Sequence, residues 1–230
     1  MPDATSLQLD IDLSQRRPLR DEAYVVIRRA IVNCDFKPGE HLNERTLAAQ
    51  LGLSRSPVRE ALRRLEQEGL VAFSRQRLVV QELSLRGVEE LYQIRQQLEL
   101  LVVRLAARLA QPADLQRMQE ALRQSESAVR QSDMEAASAA GVRFHEIMAE
   151  TAGNQRLAGL LLNINAEIRR FRLMYAETST RLEAVFVEHG EIFEAVTQHD
   201  EECAARLMDA HIERALQHIR ALEQSGATPE

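Results

Sequence analysis

The chain has 230 residues, enough for one large or two ordinary domains. It is 45% hydrophobic, yet no run approaches the roughly 18 apolar residues of a membrane span, and no charged-then-apolar signal sequence opens it, so a membrane protein is excluded and a cytoplasmic one expected. The net charge of −6 conceals an asymmetry: residues 14–80 hold 13 basic against 8 acidic residues, whereas 81–230 hold 16 against 24, a basic head on an acidic body.

The two cysteines, Cys34 and Cys203, carry no metal-ligand spacing and read as ordinary buried thiols of a reducing compartment. Residues 1–17 lack helical periodicity and predict a flexible arm. From Leu19 the spacing of Tyr24, Ile27, Ala30 and Ile31 predicts an amphipathic helix ending near Cys34. Lys37-Pro38-Gly39-Glu40 is a turn, His41-Leu42 a short strand, and Asn43 a helix cap.

Two short helices follow. Leu47, Ala48 and Leu51 share a face of the first, Gly52-Leu53-Ser54 breaks it, and Val58, Ala61, Leu62 and Leu65 repeat at helical spacing in the second. That is the helix-turn-helix pattern. Ser54, Arg55, Ser56 and Arg59 crowd the start of the second helix with no acid before Glu60, and Pro57 is tolerated in a first turn that has no intrahelical N–H bond to lose. A helix N-terminus favours anions, and Arg pairs with guanine O6 and N7 through a fork that Lys lacks. The β-prone runs 70–73 and 78–80 flank Ser74-Arg75-Gln76-Arg77 and predict a two-stranded wing with Arg75 and Arg77 at its tip, in reach of a phosphate or the minor groove.

From Ser84 the pattern is wholly helical. Six helices are expected: 84–110, from Pro112 to about 131, 133–151 ending at Gly153, 154–177, one opening on the capping-box spacing Thr180-x-x-Glu183, and 200–224. The fold class is therefore mainly α: a winged helix-turn-helix of three helices and a small β wing over 18–82, then an all-α antiparallel bundle over 84–224 and a loose tail over 225–230.

The run ERTLAAQLGLSRSPVREALRRLEQEGLV resembles the winged helix-turn-helix of the GntR family of bacterial transcription regulators. The resemblance implies that Arg45, Arg55 and Arg59 touch double-stranded operator DNA and that Ser54 and Ser56 assist at phosphates. The family usually places a Gly after the last basic residue of the wing; here Leu78 stands there and the loop is about one residue shorter. Tyr92-Gln93-Ile94-Arg95 with Leu98-Glu99, Phe144-His145, Ala152-Gly153-Asn154, Glu188-His189 and Met208-Asp209-Ala210-His211 resemble the FCD ligand-sensing domain of the FadR-type branch, in its six-helix, VanR-like version. The two resemblances together cover about residues 19 to 222.

By that resemblance His145, His189 and His211 point into the bundle and bind a divalent metal, with Zn or Ni suited to imidazole donors. The pattern's fourth ligand is an aspartate four residues before the first histidine, and Gly141 occupies that position. Either the metal persists on three histidines with water or effector in the gap, or it has been lost. From spacing alone, three core-facing histidines bonded to neighbours is the competing reading. His199, His218 and His41 match no ligand position. A carboxylate effector, the usual class for this branch, needs a cation: Arg95 holds the cavity-facing position, Arg143 and Asn165 are further candidates, and Arg169 to Arg172 read as surface salt bridges.

The resemblance thus implies a homodimeric, ligand-responsive regulator, a repressor by family habit, with no catalytic residues. The rival readings are a metal-dependent small-molecule hydrolase joined to a DNA-binding head and a helical interaction module without a ligand.

Overall fold

The computed structural model describes residues 18–82, 84–174 and 179–224. The expected arm over 1–17 and tail over 225–230 lie outside them, as do the end of the predicted 154–177 helix and Leu83. The chain divides into two compact units, the first made by the N-terminal part through Ser84 together with Ala166–Met174, the second by Leu85–Asn165 and the C-terminal part from Tyr175.

The first unit holds α1 (Leu19–Val32), α2 (Glu44–Gln50), α3 (Arg55–Gln67), β1 (Val71–Ser74) and β2 (Arg77–Val80). The periodic apolar residues meet in one core: Ile27 and Ile31 of α1, Leu47 of α2, Val58 and Leu65 of α3, then Leu70 and Val80. Asn43 caps α2 by accepting from Arg45 N at 2.9 Å and Thr46 N at 3.1 Å, which satisfies two donors a helix start leaves bare. Gly52 lies at φ +65 between α2 and α3, a left-handed conformation that turns the chain sharply and that Gly adopts without steric cost.

The wing is tighter than the sequence suggests. β1 and β2 are antiparallel with Ser74 opposite Arg77, so only Arg75 and Gln76 form the turn. Their φ values of 47 and 64 match a primed turn, whose twist suits a hairpin. Arg75 is at the tip as expected, but Arg77 is already the first residue of β2. His41 bridges Val79, and Leu42 N donates to Leu78 O at 2.9 Å, so the predicted short strand is a third edge of the wing.

Ala166–Met174 is tied into this unit by backbone and side chain. Arg170 is fully buried and donates to Gln81 O, Cys34 donates its thiol to Arg170 O at 3.6 Å, and Arg169 donates to Asn33 Oδ1 at 3.2 Å. The surface salt bridges expected for Arg169 and Arg170 are thus corrected: these side chains bond main-chain and amide oxygens, and burial lowers the Arg170 guanidinium pKa. Cys34 and Cys203 are both free thiols and half-buried rather than buried.

The second unit is built from α4 (Leu85–Leu109), α5 (Pro112–Arg130), α6 (Met134–Thr151), the first part of α7 (Gln155–Met174), α8 (Ser179–Thr197) and α9 (Glu201–Gln224). Asp133 caps α6 through Ala136 N at 2.9 Å, and Gln111 with Asp114 forms a capping box around Pro112 at the start of α5. The described part of helix α8 already includes Thr180, which therefore lies within the helix and not at its cap. Connections of three residues at 131–133 and 198–200 fold α6 back on α5 and α9 back on α8. Helix α4 packs on α9, α6 and α8, and α5 packs on α6 and α8, so the bundle interior is lined from four helices that each contribute chemistry.

Two non-glycine residues in the left-handed region strain the wing turn. Gln76→Gly is expected to raise the stability of the first unit by up to about 1 kcal/mol, since an L side chain costs roughly 1–2 kcal/mol there and Gly gives part of that back as chain entropy. Urea unfolding followed on both proteins checks it; an unchanged or lower midpoint would contradict the strained turn.

Candidate DNA-reading face and buried histidine centre

The start of α3 is exposed and basic. Ser54 is its N-cap residue, its hydroxyl makes no capping bond, and Ser54, Arg55, Ser56 and Arg59 are all exposed. The apolar face of α3 is fully committed to the core through Val58, Ala61, Leu62 and Leu65, which turns the arginines outward. Arg55 and Arg59 converge on one carboxylate. Arg55 Nε donates to Glu44 Oε1 at 2.9 Å, while Arg59 donates Nη2 to the same oxygen at 2.8 Å and Nε to Oε2 at 3.0 Å. Glu44 is the first residue of α2, so the two helices of the motif are clasped at the end that carries the arginines. The hydrogen bonds from Arg59 and then Arg55 lower the Glu44 carboxyl pKa.

The sequence gives no sign of this clasp, because Glu44 lies 11 and 15 residues from its partners. With the arginine side chains 61% and 51% exposed, it holds them in place weakly and leaves them open to a stronger anion. Arg45 is exposed on α2, and Arg75 and Arg77 are exposed on the wing.

The second cluster is buried. His145 on α6, His189 on α8 and His211 on α9 each retain 5% exposure or less, and one nitrogen from each lies within 4.8 Å of the others. Their ring centroids form a triangle with sides of 5.0, 4.8 and 5.3 Å. Two carboxylates stand behind it. Glu188 Oε2 is 2.5 Å from His211 Nδ1, and the same carboxylate accepts from Arg181 at 3.0 Å and Arg214 at 2.7 Å. Glu99 Oε1 lies 3.1 Å from His145 Nδ1, off the line of a good hydrogen bond, and takes Arg95 Nε and Nη2 at 3.2 Å.

A carboxylate on Nδ1 selects the tautomer with its proton there and leaves the Nε2 lone pair to the interior. Burial pushes the His211 imidazole down to about 4, more than Glu188 pulls it up, so it is neutral near pH 7 and able to ligate. Burial raises the Glu99 and Glu188 carboxyls, but their histidine and arginine partners outweigh it and hold both at about 2. His189 is placed differently: its ring stacks on Phe144 at 4.8 Å. A Cβ at Gly141 would come within 3.3 Å of His189 Cε1, so the ring leans toward the space where the resemblance expects an aspartate. Three imidazoles in one buried pocket form a donor set able to hold a divalent metal.

The other expected effector residues divide. Arg95 is buried, 5% exposed, and belongs to the centre, but Glu99 already holds it, so an incoming acid must share it. Asn165 Oδ1 is buried with no hydrogen-bond partner among the described residues. Arg143 is instead half-exposed on α6, paired with Glu146 at 2.9 Å and Glu150 at 3.1 Å, and no described contact brings it to the histidines. His199 Nδ1 is 2.6 Å from Ala107 O, His218 is half-buried, and His41 is exposed. Glu99, Glu188, Arg181 and Arg214 were not assigned from sequence. Glu99 and Glu188 do stand in the segments that resemble the FCD domain, one a helical turn after Arg95 and the other beside a histidine, whereas nothing local marks Arg181 or Arg214.

Residues 19–79 match the model of the bacterial regulatory proteins of the gntR family, and residues 90–214 match that of the FCD domain. The chain belongs to the GntR family. It is a transcription regulator with an FCD domain, and not an enzyme. It is 33% identical to the uncharacterised HTH-type regulator YdhC of Bacillus subtilis over 94% of this chain and 98% of that one. It is 26% identical to the HTH-type repressor RspR of Escherichia coli, over 96% and 97%. Among solved structures, E. coli McbR/YncC superimposes with a TM-score of 0.78 at 25% identity, covering 91% of this chain and 99% of that one. A GntR regulator from Rhodococcus gives 0.74 at 26%, over 88% and 97%. Among the described residues no helix is long and apolar enough to cross a membrane.

The two kinds of ion pair in the regulator predict different mutational costs. Glu188→Ala leaves the nearly buried Arg181 and His211 without their acceptor and is expected to destabilise by about 3–5 kcal/mol. Arg143→Ala removes a solvent-facing pair and is expected to change stability by less than about 1 kcal/mol. Thermal unfolding of both variants checks the contrast; equal losses would mean that Glu188 is not the hub of its cluster.

Proposed function

We propose that the regulator is a cytoplasmic homodimeric repressor. A DNA-binding head over residues 18–82 reads each half of a short inverted repeat, and a small carboxylate metabolite in the bundle over 84–224 sets the head's affinity for it. The arm over 1–17 and the tail over 225–230 are peripheral to this scheme. The observation that carries it is the pairing in one chain of an exposed arginine fork on α3 with a buried, carboxylate-backed histidine centre. Arg55 and Arg59 reach base edges, Ser54 and Ser56 and the bare amides of the α3 start take phosphates, and Arg45, Arg75 and Arg77 flank them. Glu44 holds the fork in the free protein and yields it on binding. A two-fold dimer matches an inverted repeat because each half-site meets the same face.

His145, His189 and His211 hold the metal, Zn or Ni by donor type, and a bound metal supplies a Lewis-acidic position for an effector carboxylate. Glu99 and Glu188 fix two of the imidazoles in the ligating tautomer, Arg95 offers the cationic contact, and Asn165 is a further polar contact. The effector shifts operator affinity only by the difference in its affinity for the two arrangements of the protein.

Two measurements test the reading. Sites selected by the wild-type protein from random DNA are expected to contain an inverted repeat, and Arg55→Ala and Arg59→Ala are expected to lose footprinting on it. Normal footprints by both variants would overturn the assignment of α3. For protein purified without chelator or a histidine tag, elemental analysis is expected to give about one metal per chain and none for His189→Ala. Metal-free wild-type protein would leave the histidines as direct effector contacts.

A further inference from the structure

Helix α4 carries two apolar stripes. The first contains Val88, Tyr92, Val102, Val103 and Ala106, all buried within the bundle. The second contains Leu91, Ile94, Leu98, Leu101 and Leu105, spaced three, four, three and four. Ile94 is 53% and Leu101 46% exposed, and the other three are half-buried. A strict three-four repeat is the seam by which one helix meets another, and over 15 residues it runs about 21 Å. Among the described residues, no helix of the same chain covers Ile94 or Leu101.

The polar residues beside the seam identify its occupant. Glu90, Gln97 and Arg104 each stand one position before a seam leucine, so the sign passes from negative through neutral to positive along the helix. Laid antiparallel against itself, the stripe sets Glu90 opposite the partner subunit's Arg104 and Gln97 opposite the partner subunit's Gln97. Laid parallel, it would turn this flank toward the partner subunit's opposite flank, where Arg95 and Val102 are already buried in the bundle, and no charge pair would form. Both charges now sit in exposed pairs, Glu90 with Arg86 and Arg104 with Glu202, of the kind that exchange readily.

We propose that this face of α4 is where a second copy of the chain docks, antiparallel, across a two-fold axis at Gln97. The inference rests on the homodimer reading and gives it an address. It binds the two subunits through the same helix that supplies Arg95 and Glu99 to the histidine centre, so whatever changes that centre acts one helix away from the subunit interface.

Sedimentation velocity of the full chain tests it. The wild type is expected to sediment as a dimer, and the double variant Ile94→Lys, Leu101→Lys as a monomer with unchanged helical circular dichroism. A variant that stays dimeric would overturn the α4 interface while leaving the homodimer standing; a monomeric wild type would overturn both. Should the lysine variant fail to fold, cysteine cross-linking decides the matter. In a Cys34→Ser, Cys203→Ser background with a short bismaleimide, Gln97→Cys is expected to give covalent dimer. Glu90→Cys alone is expected to give none, because antiparallel packing separates its two copies by about 21 Å, and mixing it with Arg104→Cys is expected to restore the cross-link. Cross-linking of Glu90→Cys by itself, or none at Gln97→Cys, would refute the antiparallel seam.

Discussion

Two of the three imidazoles buried in this helical interior have a carboxylate placed at Nδ1, which fixes where their protons sit. Glu188 on α8 bonds His211 on α9, and Glu99 on α4 stands against His145 on α6. Each carboxylate would itself be costly to bury alone, and each is offset by arginine: Arg181 and Arg214 for one, Arg95 for the other. Four helices are thereby joined through charge as well as through apolar packing. The same pairings keep the imidazole lone pairs available, so the stability of the bundle and its capacity to bind a ligand depend on the same bonds.

The DNA-binding unit solves a smaller version of the problem. In the proposed function Arg55 and Arg59 must be free for DNA but gain from being held in place before it arrives, since every disordered long side chain adds an entropic cost to binding. Glu44 provides a partial answer at the surface, where solvent keeps the pairing weak. Comparison of the two clusters shows how burial alone sets the role of an Arg–Glu pair. Near water it orients a side chain that can leave; in the bundle it is a fixed part of the structure.

Gly141 shows how one absent side chain is taken up by its surroundings. The resemblance expects an aspartate there, and the position offers no donor. His189 lies close enough that any Cβ at 141 would press on its ring, and Phe144 stacks on it. The side chain missing at 141 is therefore coupled to the placement of the His189 ring.

Much of this was legible in the sequence. The periodicity of Val58, Ala61, Leu62 and Leu65 fixed the face of α3, and Asn43 and Asp133 announced helix starts, because these signals act within one or two turns of chain. The long motif around Ser54 to Arg59 and the three histidines identified the family and its candidate centre. What the sequence could not hold was any pairing between distant residues: Glu44 with Arg55 and Arg59, Glu188 with His211 and Arg214, Arg170 with Gln81, or Glu99 with His145. It preferred Arg95 to Arg143 as the candidate cation only through the resemblance, and packing gives the physical separation, by turning Arg143 toward solvent and its own helix's acids and Arg95 into the core. Local pattern decides what each helix is and which side is apolar. The tertiary structure decides which polar groups meet on that side, because burial acts on whichever charges the packing happens to bring together.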